Sequence, residues 1–115
     1  MQRATFLIIE NENPDALSSR KLVIETEKHN VLTAYSGKEG LEICEKFPVD
    51  AVVVHSAIRD IPCGEVVKRI KKKKPKLPVV VIAPNVGHHC DSADREIGSH
   101  DPQELLEVLK ELVAA

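Results

Sequence analysis

Five histidines (His29, His55, His88, His89 and His100), the thiol of Cys90 and the carboxylates of Glu10 and Glu12 are the side chains here best able to do chemistry. Neutral imidazole and thiolate are donors that Zn²⁺ prefers, and Glu10 or Glu12 could add an oxygen, so His55, His88, His89 and Cys90 form one candidate metal set. Their spacing weakens it. Neighbouring residues point different ways unless the loop turns, so at most two of His88, His89 and Cys90 could reach one ion, and the run matches no finger or helix motif. In the competing arrangement there is no metal: His55 is a cation or hydrogen-bond donor beside Glu10 or Glu12, with a raised pKa. Imidazole is also a competent phosphate acceptor, but His55 ends a buried strand beside carboxylates that would repel the incoming group unless they held a metal.

A second chemistry lies in Lys68, Arg69, Lys71, Lys72, Lys73, Lys74 and Lys76, seven basic residues in nine positions that hold no acid. The rest of the chain carries nine basic and eighteen acidic residues. Such a cluster suits an acidic partner or phosphates, yet no aromatic residue interleaves it to stack on bases, which argues against nucleic acid. Lysines at a helix C-terminus meet the helix dipole favourably, which suffices to explain them. Ser56, Asp60 and Cys63 follow the third apolar run and could touch a partner. There is no Gly-rich phosphate loop, G-x-S-x-G or H-E-x-x-H, so no enzyme is expected.

The elements that must hold these groups follow from hydrophobic periodicity. Ala4 to Ile9 is too short an apolar run for a helix and reads as a buried strand; Asn13 and Pro14 then open a helix to about Lys28. Asn30 to Tyr35 is a second strand, after which Ser36 and Glu39, at capping-box spacing, start a helix expected to bury Leu41, Cys44 and Phe47. Asp50 to Val54 is the third strand, Val66, Val67 and Ile70 mark a helix that Pro75 ends, and Pro78 to Ala83 is the fourth strand. Polar residues from 84 to 100 leave a weak fifth strand centred on Ile97, and Leu105, Leu106, Leu109, Leu112 and Val113 form the apolar stripe of a last helix capped by Asp101. Strands apolar on both faces, alternating with helices, mean a parallel sheet whose ligands bind outside the carboxyl ends of the strands.

At 115 residues, 43% apolar and 30% charged, the chain fits one globular domain over 1–115. No run approaches the roughly 18 apolar residues of a membrane span and no signal-peptide core is present, so no membrane contact and a cytoplasmic location are expected. Three widely spaced cysteines without C-x-x-C speak for reduced thiols.

The stretches FLIIENENPD, SGKEGLEI, FPVDAVVVH, LPVVVIAP and SHDPQELLEVLKEL resemble, in order, landmarks of the response-regulator receiver domain of two-component signalling. The resemblance implies a flavodoxin-like three-layer α/β sandwich, with a parallel sheet of order 2-1-3-4-5, a weak fifth strand and an eroded fourth helix. It also implies a place in phosphorelay signal transduction. His55 falls where the family has its phospho-acceptor aspartate. Glu10, Asn11 and Glu12 fall on the acidic pair that holds Mg²⁺, Ala83 on the hydroxyl switch residue, and Ser99 and His100 on the lysine and cis-proline. Phosphoryl transfer needs a nucleophile, a metal and positive charge together. The expectation is therefore a degenerate receiver with no cofactor, Mg²⁺ not required and Zn²⁺ the less favoured option, which binds a signalling protein or an attached output domain without phosphorylation. The alternative is a metal- or ligand-responsive switch at the His55 pocket.

Overall fold

Residues that are apolar at every position can be satisfied only in strands covered on both faces, and the sheet is built from such runs. The computed structural model describes residues 4–10, 24–25, 29–83, 93–98 and 102–114. In chain order these form β1 (Thr5–Ile9), β2 (Asn30–Ala34), α1 (Gly37–Lys46), β3 (Ala51–His55), α2 (Cys63–Lys73), β4 (Val79–Ile82), β5 (Arg95–Ile97) and α3 (Pro102–Ala114). The five strands make one parallel sheet of order β2-β1-β3-β4-β5, the expected flavodoxin-like topology. The fifth strand is short, with Ile97 as its buried residue, as expected. Most of the expected first helix, the Asp101 cap and the expected erosion of a helix after Ala83 lie outside the described residues.

Side-chain alternation divides the interior into two cores. Leu7, Ile9, Val52, Val54, Val79 and Val81 face α1 and α2, where they meet Cys44, Val66, Val67 and Ile70. Phe6, Ile8, Val53, Val80 and Ile82 face the other way, toward Ile24 and toward Leu105, Leu106, Val108 and Leu109 of α3. Two expected core positions are corrected. Phe47 is 51% exposed, because it is the extended C-cap of α1 and its side chain leaves the helical stripe. In α3 the buried stripe takes Val108, while Val113, near the helix end, is 38% exposed.

Two aspartates fasten the sheet where strands begin. The Thr5 amide donates to Asp50 Oδ2 at 2.7 Å while the Asp50 amide donates to the Thr5 carbonyl at 2.7 Å. The Val79 amide donates to Asp94 Oδ2 at 2.7 Å, and the Asp94 amide returns a bond to the Val79 carbonyl at 2.9 Å. Each aspartate precedes a strand and reaches the first residue of its neighbour, supplying an acceptor for an amide that the ladder leaves unpaired. Lys71 adds an ion pair to Asp94 at 2.6 Å and donates to the Leu77 carbonyl at 2.8 Å, so this lysine of the basic stretch is a structural tie.

The thiols depart from expectation in one respect. Cys44 is buried and free, as a core residue should be; burial pushes its thiol up against the lowering pull of Lys74 and Lys73. Cys63 is disulfide-bonded, and its partner lies outside the described residues. Spacing along a sequence carries no information about Cα separation in space, which is what permits a bridge.

Candidate functional site

The parallel strands carry their ends to one edge, and β1 and β3 are neighbours there. Ile9 pairs with Val54, so the next step of the same register sets Glu10 beside His55, about 4.8 Å apart along the sheet. By alternation Glu10 follows Ile8 and His55 follows Val53, which puts both on the face that α3 covers. Backbone pairing holds this edge firmly: the amides of Glu10, Ser56 and Ala83 donate to the carbonyls of Ala34, Ile82 and Ile97, each at 2.9 Å. Each of these three residues lies just beyond the end of its strand.

Both side chains at the edge are buried, Glu10 at 2% exposure and His55 at 6%. Glu10 is therefore an inward carboxylate; Asn11 and Glu12 lie outside the described residues. His55 Nδ1 accepts the Ala57 amide at 3.1 Å. This hydrogen bond uses Nδ1 as an acceptor and leaves Nε2 as the nitrogen able to donate, in keeping with the hydrogen-bond-donor form of the expectation. Glu10 and His55 each make a further interaction, so neither is an isolated polar group.

The remaining expected positions divide in two. Ala83 follows β4, half-buried, and brings no hydroxyl to the edge. His88, His89, Cys90, Ser99 and His100 lie outside the described residues. Among the described residues no three His, Cys, Asp or Glu side chains converge to hold a metal. Among the described residues this edge offers the carboxylate of Glu10 and the imidazole of His55, and a hard cation such as Mg²⁺ asks for oxygens. His29 stands at the opposite, amino end of the sheet, where its Nδ1 accepts the Ala4 amide at 3.0 Å and its ring meets Phe6 edge-on at 5.2 Å. It is a core histidine.

The loop after β3 has a function the sequence reading missed. Asp60 accepts the Gly37 amide at 2.8 Å through Oδ1 and the Lys38 amide at 2.9 Å through Oδ2, while Ser36 Oγ accepts the Glu39 amide at 3.1 Å. One carboxylate from a distant loop thus caps the first turn of α1 alongside its local cap. Desolvation works against its charge, but the amides of Lys38 and Gly37, with those of Asp60 and Ile61, outweigh it and hold the carboxyl below the usual value. Replacing Asp60 by alanine is expected to lower stability by about 1 kcal/mol, with asparagine recovering part of the loss, as read by urea unfolding. A full-strength Asp60→Ala protein would show that solvent caps the helix equally well.

The basic stretch is largely engaged in the fold. Arg69 pairs with Glu65 at 3.0 Å, Lys73 with Glu45 at 3.3 Å, and Lys74 Nζ donates to the Cys44 carbonyl at 2.6 Å. Lys68, Lys72 and Lys76 are exposed. Among the described residues no helix is long and apolar enough to cross a membrane.

Comparison with known proteins bears on the whole of this arrangement. The sequence profile of the response regulator receiver domain matches residues 6–98. The response regulator GtcR of Aneurinibacillus migulanus is 23% identical over 77 residues, 67% of this chain and 31% of that protein. The chain spans less than a third of the length of the curated relatives it matches. Among solved structures, a CheY-like receiver domain protein from Methanospirillum hungatei superposes with a TM-score of 0.87 at 22% identity, covering 98% of this chain and 95% of that one. The receiver domain of the sensor histidine kinase PA1611 from Pseudomonas aeruginosa, with a magnesium ion coordinated in its active site cleft, gives 0.86 at 13% identity, over 99% and 100% of the two chains. At such identities the structural likeness speaks for the fold, while the profile match covers most of the sequence. The chain belongs to the response regulator receiver domain family.

Proposed function

We propose that this chain is a receiver domain of phosphorelay signalling that works without accepting a phosphoryl group at the end of β3, by binding a signalling protein or an output domain. The observation that carries the reading is His55, buried beside Glu10 with Nδ1 engaged by the Ala57 amide. Phosphoryl transfer is catalysed by positioning and by charge on the equatorial oxygens. An imidazole at the acceptor position and an alanine at Ala83 remove an oxygen nucleophile and a hydroxyl partner together. Mg²⁺ is not required in this reading, because a nitrogen donor stands where the cation would want a carboxylate. The chain is then a binding module rather than an enzyme.

Native intact-mass spectrometry tests this directly, on protein incubated with Mg²⁺ and a small phosphodonor, and separately with Zn²⁺, each beside His55→Ala. No phosphoryl adduct is expected under any condition. A stoichiometric phosphoryl adduct that disappears in His55→Ala would overturn the proposal. A zinc adduct dependent on His55 would replace it with a metal-responsive switch, in which His88 and His89 become the first ligands to substitute.

A further inference from the structure

A groove of about 580 Å³ lies between α1 and α2, away from the carboxyl edge of the sheet. Its floor is apolar, made by Leu41, Cys44 and Ile70, and its rim is basic, carrying Arg69, Lys72, Lys73 and Lys74 against the single acid Glu45. The volume falls within the roughly 300–1,000 Å³ range of ligand sites. Within the rim, the ion pair with Glu65 engages Arg69, that with Glu45 engages Lys73, and Lys74 is spent on the Cys44 carbonyl. Lys72 is exposed, and Lys68 and Lys76 extend the positive field along the same helix and just beyond it.

We infer that this groove docks an acidic amphipathic helix of a partner protein, with apolar side chains seated on Leu41, Cys44 and Ile70 and carboxylates against the lysine rim. Charge complementarity selects the occupant. Residues 68–76 hold seven basic groups and no acid, in a chain whose net charge is −2, so this helix is a local exception that attracts anions. The apolar floor selects a peptide over nucleic acid. A phosphate backbone gains nothing from Leu41 and Ile70, no aromatic side chain lines the groove to stack on bases, and Glu45 stands in its wall. An amphipathic helix, by contrast, offers apolar residues at i, i+3, i+4 and i+7 with charges flanking them. The inference deepens the binding-module reading by naming a surface and a partner chemistry, and it rests on that reading. It stands on another face from His55, so the phosphodonor experiment and the one below fail independently.

The test is fluorescence anisotropy with the full chain and three fluorescein-labelled probes. They are an amphipathic peptide of about 15 residues with leucines at helical spacing and glutamates elsewhere, a scrambled peptide of the same composition, and a single-stranded oligodeoxynucleotide. The amphipathic peptide is expected to bind at least about tenfold more tightly than either control, and to weaken as salt is raised. Lys72→Glu with Lys73→Glu, both exposed positions, should weaken it about tenfold while leaving the circular dichroism unchanged. Amide shifts on binding should map to Leu41, Cys44 and Ile70. Equal binding of the scrambled peptide would reduce the groove to unspecific charge attraction and overturn the proposal. So would tighter binding of the oligonucleotide, shifts that map to another face, or no binding by the amphipathic peptide at millimolar protein.

Discussion

Replacing Gly40 by alanine is expected to destabilise the protein by about 2 kcal/mol, lowering the melting temperature by about 10 °C, although alanine is the better helix former by about 1 kcal/mol. The reason is the contact between α1 and β1. A Cβ on Gly40 would overlap the Cδ1 of Ile9 and stand 2.6 Å from its Cγ1, and Ile9 is fully buried in the centre of one core. Overlap with a side chain that has no room to move outweighs the gain in helix propensity. Ile9→Val removes the Cδ1 methyl, so the double variant should recover about 1 kcal/mol relative to the sum of the two single changes. Gly64 is the internal control. Nothing lies within 4 Å of a Cβ there, so Gly64→Ala in the first turn of α2 should raise stability by about 0.5–1 kcal/mol. Equal stabilisation by both substitutions would show that α1 does not approach β1 as closely as these distances require.

Asp94→Ala is expected to cost about 2 kcal/mol, because it removes two interactions of different kinds. The ion pair with Lys71 is partly solvated, with 35% of the Asp94 side chain exposed, and contributes little by itself. The larger loss is the acceptor for the amide of Val79, a residue with no exposed surface at the start of β4. A buried amide left without an acceptor costs about 1–3 kcal/mol. The Asp94→Asn variant keeps a side-chain oxygen for that amide, so it should lose less than alanine does.

The pH dependence carries its own sign. Desolvation raises the Asp94 carboxyl, but the hydrogen bond from Lys71, the Val79 amide and the Lys71 charge together hold it below the usual aspartate value. The folded state therefore binds its proton less readily than the unfolded chain does. The contribution of Asp94 is complete above about pH 4, near the unfolded value, and is lost as pH falls through the folded one. The gap between parent and Asp94→Ala should accordingly narrow as pH is lowered below about 4, toward the gap between Asp94→Asn and Asp94→Ala, because a protonated carboxyl still offers an oxygen to the Val79 amide. A gap that stays constant down to about pH 2 would mean the carboxylate charge is immaterial and only the shape of the residue counts.

The histidines illustrate how far residue type reaches into function. Ending an apolar run, His55 could be placed at the carboxyl edge of a parallel sheet from the sequence, because strand length and alternation are local properties. Its hydrogen bonding could not. The Nδ1 bond to Ala57 depends on how the chain turns after β3, a geometry no residue spacing encodes. The same holds for Glu10 against Glu12: two residues apart, they would share a face on extended backbone, so alternation does not choose between them, and the burial of Glu10 belongs to the folded structure. Asp50 and Asp94 did leave a signal: each is an aspartate immediately before a strand, which is where a carboxylate can supply an acceptor to the neighbouring strand's first amide.

What the sequence by itself determined is the set of elements, their order and the two-faced burial of the strands. Those follow from runs such as AVVV and VVVI, from the cap at Ser36 and from the stop at Pro75, all local in range. Only the tertiary structure decided which side chains meet across long separations. Asp60 caps a helix that begins 23 residues earlier, and Lys74 reaches a carbonyl 30 residues away. Phe47 is turned outward where α1 ends, and a basic stretch becomes the rim of a groove only once Leu41 and Cys44 are packed beside it. Such contacts depend on the relative placement of whole elements, set by the packing of two cores against one twisted sheet, and no single segment contains that information.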